Sequence, residues 1–323
     1  MEPLIVMTSA ALVDQAATEA FELDMECSDH ADGQNDFEAT LPMHMRPVAN
    51  GALYVDGTGW GGLVQERSSD TAVAGVLAWR GRTWQGVMFD RVLSPPSGQA
   101  YYTYSGTVAG AIDDLMSRLG LSTLFQAGDC PSASVTHTYS RYPRGWDALR
   151  ELLGAAGLRP SLRAVSDDGV LAVMVDAAEP AELGEEVDGE TADMAMLRVF
   201  TAYNHLIALG QGEGTARDVY HCYADSDGNV SATQSITGLA ERVYLHDYPN
   251  ADHDDLVESA TEQLKKLQGQ GSVSVSLPAG AQVEIGDYAN AYDQRIDEAV
   301  SAEVTGCVVK FKDGALTVSW SAG

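Results

Sequence analysis

The stretch from Trp79 to Pro96 limits the fold more than any other part of the chain. Trp79-Arg80-Gly81-Arg82 leads into Thr83-Trp84-Gln85-Gly86, after which Val87, Phe89 and Leu93 alternate with Met88 and Val92. Successive side chains of a strand point to opposite faces, so the stretch reads as two strands meeting at a tight Arg-Gly-Arg bend. Pro95-Pro96 ends the second strand, because proline has no N–H to give to a ladder. On this reading Val73 to Trp79 pairs with Gln85 to Leu93.

The same period of two recurs upstream. Phe21 to Cys27 alternates apolar with acidic residues, and Phe37, Ala39 and Leu41 repeat the pattern. Ala52 to Val55 ends at Asp56-Gly57, and Gly61-Gly62-Leu63-Val64 opens another strand. Six or so short strands at this spacing predict a β-barrel or sandwich over residues 1–100. The first of them is Leu4 to Met7, which follows Glu2 without a basic flank and so reads as a strand and not as a signal peptide. No apolar run approaches the length of a membrane span, and no membrane anchoring is expected.

Over residues 101–178 the period changes. Val108, Ile112, Leu115, Met116 and Leu119 fall on one helical face closed by Gly120, and Trp146, Leu149, Leu152, Leu153 and Ala156 on another closed by Gly157. Val135 to Tyr139 reads as a strand between them, and Asp168-Gly169 turns a hairpin between Leu162–Val165 and Val170–Val175. This is a small α+β insertion domain. Residues 179–194, rich in glutamate and poor in apolar groups, read as an acidic solvated linker.

Residues 195–323 return to β structure as a second barrel domain with one helix. Leu197, Val199, Tyr203, His205, Ile207 and Leu209 suggest a long strand. The helix is capped by Asp252, carries Asp254 and Asp255 in its first turn and Lys265 and Lys266 near its end, and shows a stripe of Val257, Ala260, Leu264 and Leu267. Val304 to Phe311 and Leu316 to Trp320 flank Asp313-Gly314, the strongest hairpin signal in the chain. The fold class is therefore α+β and β-dominated, with two β-barrel domains flanking a small α/β insertion domain. At 323 residues the chain suits such a division better than one core.

The formal charge is −28, with only four lysines. Such a surface repels phosphate, so stable nucleic-acid binding and adhesion to anionic membranes are not expected. Cys27, Cys130, Cys222 and Cys307 lie far apart with no Cys-x-x-Cys pair, which predicts buried reduced thiols and no structural zinc.

No constellation reads as an active site, and no catalytic, cofactor-binding or metal residues are assigned. His246-Asp247 and His253-Asp254-Asp255 lack metal-ligand spacing and read as a loop with a helix N-cap. Asp225-Ser226-Asp227-Gly228-Asn229 resembles part of a calcium loop without the later bidentate glutamate, and reads as a plain turn. Gly210-Gln211-Gly212-Glu213-Gly214 lacks Gly-Lys-Ser/Thr and holds an acid that repels phosphate. Glu66 and Asp70 are two acids among 47, too many for a glycosidase pair to stand out. Trp60, Trp79, Trp84, Trp146 and Trp320 could line a sugar groove, yet read better as core or subunit-contact residues.

Three blocks carry a family resemblance: Trp79 to Gly98, Tyr203 to Glu213 (an Asn-x-Leu/Ile-x-x-x-Gly-x-Gly strand) and Val283-Glu284-Ile285-Gly286-Asp287, read as a strand and turn. In this order the chain resembles the tail-tip baseplate hub proteins of long-tailed phages, the family often called tail-associated lysins. That resemblance implies a non-enzymatic virion protein: a homotrimer whose two barrels per chain adapt sixfold tail symmetry to threefold and close the tail channel. It implies a distal tail protein hexamer, a tape measure protein and receptor-binding or tip proteins as partners, with assembly in a host cytoplasm. It covers the hub portion alone, since the chain ends at Gly323 without the C-terminal extension that carries fibre or lytic activity in larger relatives. The rival readings are a tail-tip peptidoglycan or peptide hydrolase and a carbohydrate-binding β protein.

Overall fold

The computed structural model describes residues 3–30, 34–69, 77–183, 187–188, 194–197, 202–268, 272–277, 283–293, 295 and 297–323. They fall into two compact units, residues 1–194 with 274–323 and residues 195–273. Strands predominate in the chain, as the sequence predicts.

In the larger unit the alternating runs form strands. Glu22–Ser28 buries Leu23, Met25 and Cys27, and Asp36–Leu41 buries Phe37, Ala39 and Leu41. Neighbouring strands of the main sheet run Ala315–Ala322, Glu298–Lys312, Glu22–Ser28, Asp36–Leu41, Leu77–Thr83, Gly61–Ser69, Ala52–Val55, Ile5–Thr8 and Asp14–Thr18. The C-terminal hairpin turns at Asp313 and Gly314, both at positive φ, as foreseen. Its first strand, however, pairs with Glu22–Ser28 from Phe311↔Leu23 to Gly306↔Ser28. The cause is shared apolar alternation: Cys307, Val309 and Phe311 join Leu23, Met25 and Cys27 in one buried cluster. The sheet of residues 1–100 is thus continuous with the last strands, and residues 274–323 belong to the same unit as residues 1–194.

The segment after Trp79 corrects the strand-pair reading. Leu77–Thr83 runs straight through Gly81, and Trp84–Phe89 is a short α-helix, not a strand. The partners of Leu77–Thr83 are Gly61–Ser69 and Asp36–Leu41; Val73 to Val76 lie outside the described residues. Gly81 is needed for close approach and not for a bend: a Cβ there would lie 1.9 Å from the Leu63 carbonyl oxygen and 2.9 Å from the Phe37 ring. The helix starts because Thr83 Oγ1 accepts the Gly86 N–H at 3.3 Å. All six of its residues are buried, so its side chains carry no periodicity that separates helix from strand.

In the segment of residues 101–178 the two helices and the hairpin form as read. Helix Val108–Leu119 ends at left-handed Gly120, helix Gly145–Gly154 is followed by Gly157 at φ 69°, and Arg159–Asp167 pairs with Val170–Ala178 across Asp168-Gly169. Its core also takes in Tyr54, Trp84, Met88 and Phe89, so it is packed into the larger unit and does not stand apart. Part of the expected linker is sheet: Val187–Asp188 pairs in parallel with Ala291 and Tyr292. Val283 to Asp287 is a turn without a strand.

The smaller unit holds a four-stranded sheet, in the order Val230–Ser231, Val219–Ala224, His205–Leu209, Val243–Asp247. Helix His253–Gln268 packs Leu256, Ala260, Leu264 and Leu267 on Leu206, Ala208, Cys222 and Ala224. Leu256 takes the place expected for Val257. Asp252 caps the helix, accepting the Asp255 N–H at 3.1 Å. The expected long strand to Leu209 begins only at His205, and residues 198–201 lie outside the described set.

Candidate functional site

The feature of the larger unit with the most built-in chemistry is the seam where Glu298–Lys312 meets Glu22–Ser28. Its apolar side is reinforced by Phe21 and Phe311, which stack with centroids 4.4 Å apart. At its end lies Asp29, only 2% exposed, 3.0 Å from Arg150 of helix Gly145–Gly154. The same guanidinium reaches Glu303 at 2.8 Å. Burial pushes the Asp29 carboxyl above the usual carboxylate range, against the pull of Arg150. One arginine thus ties the α+β segment to both strands of the seam.

A second clamp lies beside it. Arg159 grips Asp287 through Nε and through Nη2 (3.2 Å), and Glu284 through Nη1 (2.7 Å). Asp287 is 2% exposed and also accepts the N–H groups of Ala181 and Glu284, each at 2.8 Å. Gly286 sits at φ 94°, where a Cβ would meet the Arg159 side chain at 2.9 Å. This explains the Ile-Gly-Asp order: glycine lets the turn close over the arginine, and aspartate receives it.

Next to the clamp a cavity of about 400 Å³ is lined by Trp60, Gln85, Trp146, Trp320, Cys27 and Cys307, among others. Trp146 Nε1 and Gln85 Oε1 are buried without a hydrogen-bond partner. On the other side of the seam strands, a depression of about 600 Å³ is lined by Asp24, Glu26, Asp36, Glu38 and Glu66 against Arg80, Arg82 and Lys310. Five carboxylates there face three cations. Two pairs are closed, Arg80–Glu38 at 2.6 Å and Lys310–Asp24 at 3.0 Å.

The weighed constellations take ordinary places. His246 contacts Ser259 at 3.0 Å while His253 contacts Asp218 at 2.9 Å, so the two histidines have separate partners. Asp225 Oδ1 accepts the N–H groups of Asp227 and Asn229, both at 2.9 Å, and these bonds hold its pKa down. In the Gly210–Gly214 loop the Gly210 carbonyl accepts from Arg217 at 3.1 Å. Glu66 is exposed in its strand, and Asp70 lies outside the described residues. Trp79, Trp84 and Trp146 are buried, leaving Trp60 and Trp320 half-buried at the cavity.

Sequence reasoning missed Asp29, Arg150, Arg159 and the chain Glu241–His205–His221. In the last, His205 Nδ1 lies 2.7 Å from Glu241 Oε1, and its Nε2 lies 2.8 Å from His221 Nδ1. Partial desolvation of this mostly exposed ring, and then the His205 charge, push the His221 pKa down. His205 and Asp287 do lie in two of the family-like blocks, but no spacing in the chain points to their partners.

No family model matches the chain, and no curated protein does. Solved structures do match. The 43 kDa tail protein of prophage MuSo2 from Shewanella oneidensis aligns with TM-score 0.54 and 12% identity, over 99% of this chain and 97% of that one. A chain of the p2 virion baseplate in its activated conformation gives 0.55 and 9%, over 99% and 98%. The tail protein from Neisseria meningitidis MC58 gives 0.51 and 14%, over 100% and 96%. Likeness at these identities is one of fold, and it runs the length of the molecule. The chain has the fold of baseplate hub-like phage tail proteins.

Proposed function

We propose that this chain is a structural hub at the distal tip of a long phage tail, acting without catalysis. The observation that carries this reading is the end-to-end fold likeness to tail and baseplate proteins. The seam supports its finer form: a run of N-terminal strands and a run of C-terminal strands meet at one antiparallel ladder. If each run supplies one barrel-like wall, three chains supply six, and a ring of threefold symmetry presents a sixfold face to a distal tail protein hexamer. The tape measure protein would end on this ring, and receptor-binding or tip proteins would attach below it. The acid-rich depression would face the channel, which a closed hub blocks until DNA leaves. Carboxylates there repel outgoing DNA, where arginine would hold it through counterion release.

Light scattering, with particle images of the purified protein, tests this. The expected species is a homotrimer, alone or together with the distal tail protein. A monomer at high concentration in the presence of that protein would overturn the ring. Asp24, Glu26 and Glu38 on the outer wall of an imaged trimer would overturn the channel assignment alone. Peptidoglycan cleavage by the pure protein, abolished in a His246→Ala, His253→Ala, Asp255→Ala variant, would install the hydrolase reading instead.

A further inference from the structure

Cys27 and Cys307 are direct cross-strand partners at the seam. The Asp29 N–H donates to the Thr305 carbonyl two positions along the same ladder, at 2.9 Å. In an antiparallel ladder hydrogen-bonded pairs alternate with non-bonded ones, so Cys27 and Cys307 form a bonded pair with Cα atoms about 5.5 Å apart. That separation lies within the roughly 4.4–6.8 Å that a disulfide spans. Residues directly opposite share a face, and both cysteines line the 400 Å³ cavity beside Trp60 and Trp320. Contact with the Cys307 sulfur, followed by burial, raises the Cys27 thiol well above its ordinary value. Cys27 is 3% exposed and Cys307 7%, so the cavity is their route to small reagents. The other two thiols differ: Cys130 contacts the Val175 carbonyl, and Cys222 contacts the Ala260 carbonyl under the helix.

We propose that Cys27 and Cys307 are a redox modification site, closed to an intramolecular disulfide by a small-molecule disulfide that enters the cavity. The thiols stay reduced in a reducing cytoplasm and are oxidised on release from it. Cys307, the more exposed of the two, loses its proton to solvent and attacks one sulfur of the reagent. The reagent's S–S bond breaks, a mixed disulfide forms on Cys307, and one small thiolate leaves. Cys27 then loses its proton and attacks the Cys307 sulfur, expelling the second thiolate, and the two released protons end on the two small thiols. The protein thiols lose two electrons and the small disulfide gains them. The product ties strand Glu22–Ser28 to strand Glu298–Lys312 and closes nearly the whole chain into a loop, at the joint between its N-terminal and C-terminal strands.

The test uses the full chain, purified with reductant and transferred into oxidised glutathione. The expected product is lighter by two hydrogens and carries no glutathione. Its digest links the Cys27 peptide to the Cys307 peptide, and its melting midpoint rises by several degrees until dithiothreitol is added. The rate should climb about tenfold per pH unit below the thiol pKa, because the thiolate is the attacking form. A Cys130→Ala, Cys222→Ala variant, which keeps both seam cysteines, should behave in the same way. Cys307→Ser should leave Cys27 unlinked. Two free thiols persisting in the folded protein, or a stable glutathione adduct that never resolves, would overturn the proposal.

Discussion

Asp287 shows how much rests on single residues. It receives a guanidinium that is 12% exposed and two backbone N–H groups, so Asp287→Ala leaves that cation only the half-exposed Glu284 and strands two donors. Removing one partner of such a pair costs about 3–5 kcal/mol. Chemical denaturation should show that loss with an unchanged slope, while Arg159→Lys, which cannot fork onto both oxygens, should lose less. Gly81→Ala should cost more than ~2 kcal/mol by the same measurement, since the added carbon meets the Leu63 backbone and not a movable side chain. His221 carries a pH dependence. Its folded pKa lies below the ordinary 6.5, so its contribution is present above pH 6.5 and is lost as pH falls through the folded value. The melting midpoint of the smaller unit should fall on acidification from about pH 7 to 5, more in the native chain than in His221→Gln, with the His221 ring titrating below 6.5 by NMR. A titration at or above 6.5 would contradict the partial desolvation and the neighbouring His205 charge that set this direction.

At the scale of elements, legibility followed exposure. Strands with one wet face, such as Glu22–Ser28, and helices with one wet face, such as Val108–Leu119, show their period in the sequence. Trp84–Phe89 has no wet face, and there the reading failed. Its start depends on one hydroxyl. Thr83→Ala should cost about 1 kcal/mol, as should Thr107→Ala, whose Oγ1 accepts the Gly110 N–H at 3.2 Å. If Trp84–Phe89 held its shape by packing alone, the Thr83 change would move the denaturation midpoint by less than the Thr107 change. Turn chemistry was equally readable: Asp168-Gly169 and Asp313-Gly314 take the positive φ values that two-residue hairpins require.

For the whole molecule, charge sets the expectations. Each chain carries −28, so a trimer gathers 3 × −28 = −84. Apolar contacts between subunits must offset that repulsion. Raising salt from about 0.01 to about 0.15 M shortens the screening length from roughly 30 to roughly 8 Å. Light scattering across that range should therefore show the proposed trimer persisting to lower protein concentration in the higher salt. An opposite trend would mean that ion pairs, and not apolar contacts, hold the subunits together.

The amino-acid sequence by itself determined the β-dominated class, the half-buried strands and helices, the hairpin turns and the order of blocks that resembles hub proteins. Each of these is a local matter of period, cap or turn. Tertiary structure decided what lies across and beside the seam: that Glu298–Lys312 pairs with Glu22–Ser28, that Arg159 meets Asp287, and that Cys27 faces Cys307. These partners stand 128 to 288 residues apart, the latter from 311 − 23. No local pattern encodes a contact at that distance. It forms because two apolar strand faces of matching register must be buried together, and the charges and thiols they carry are then brought into contact.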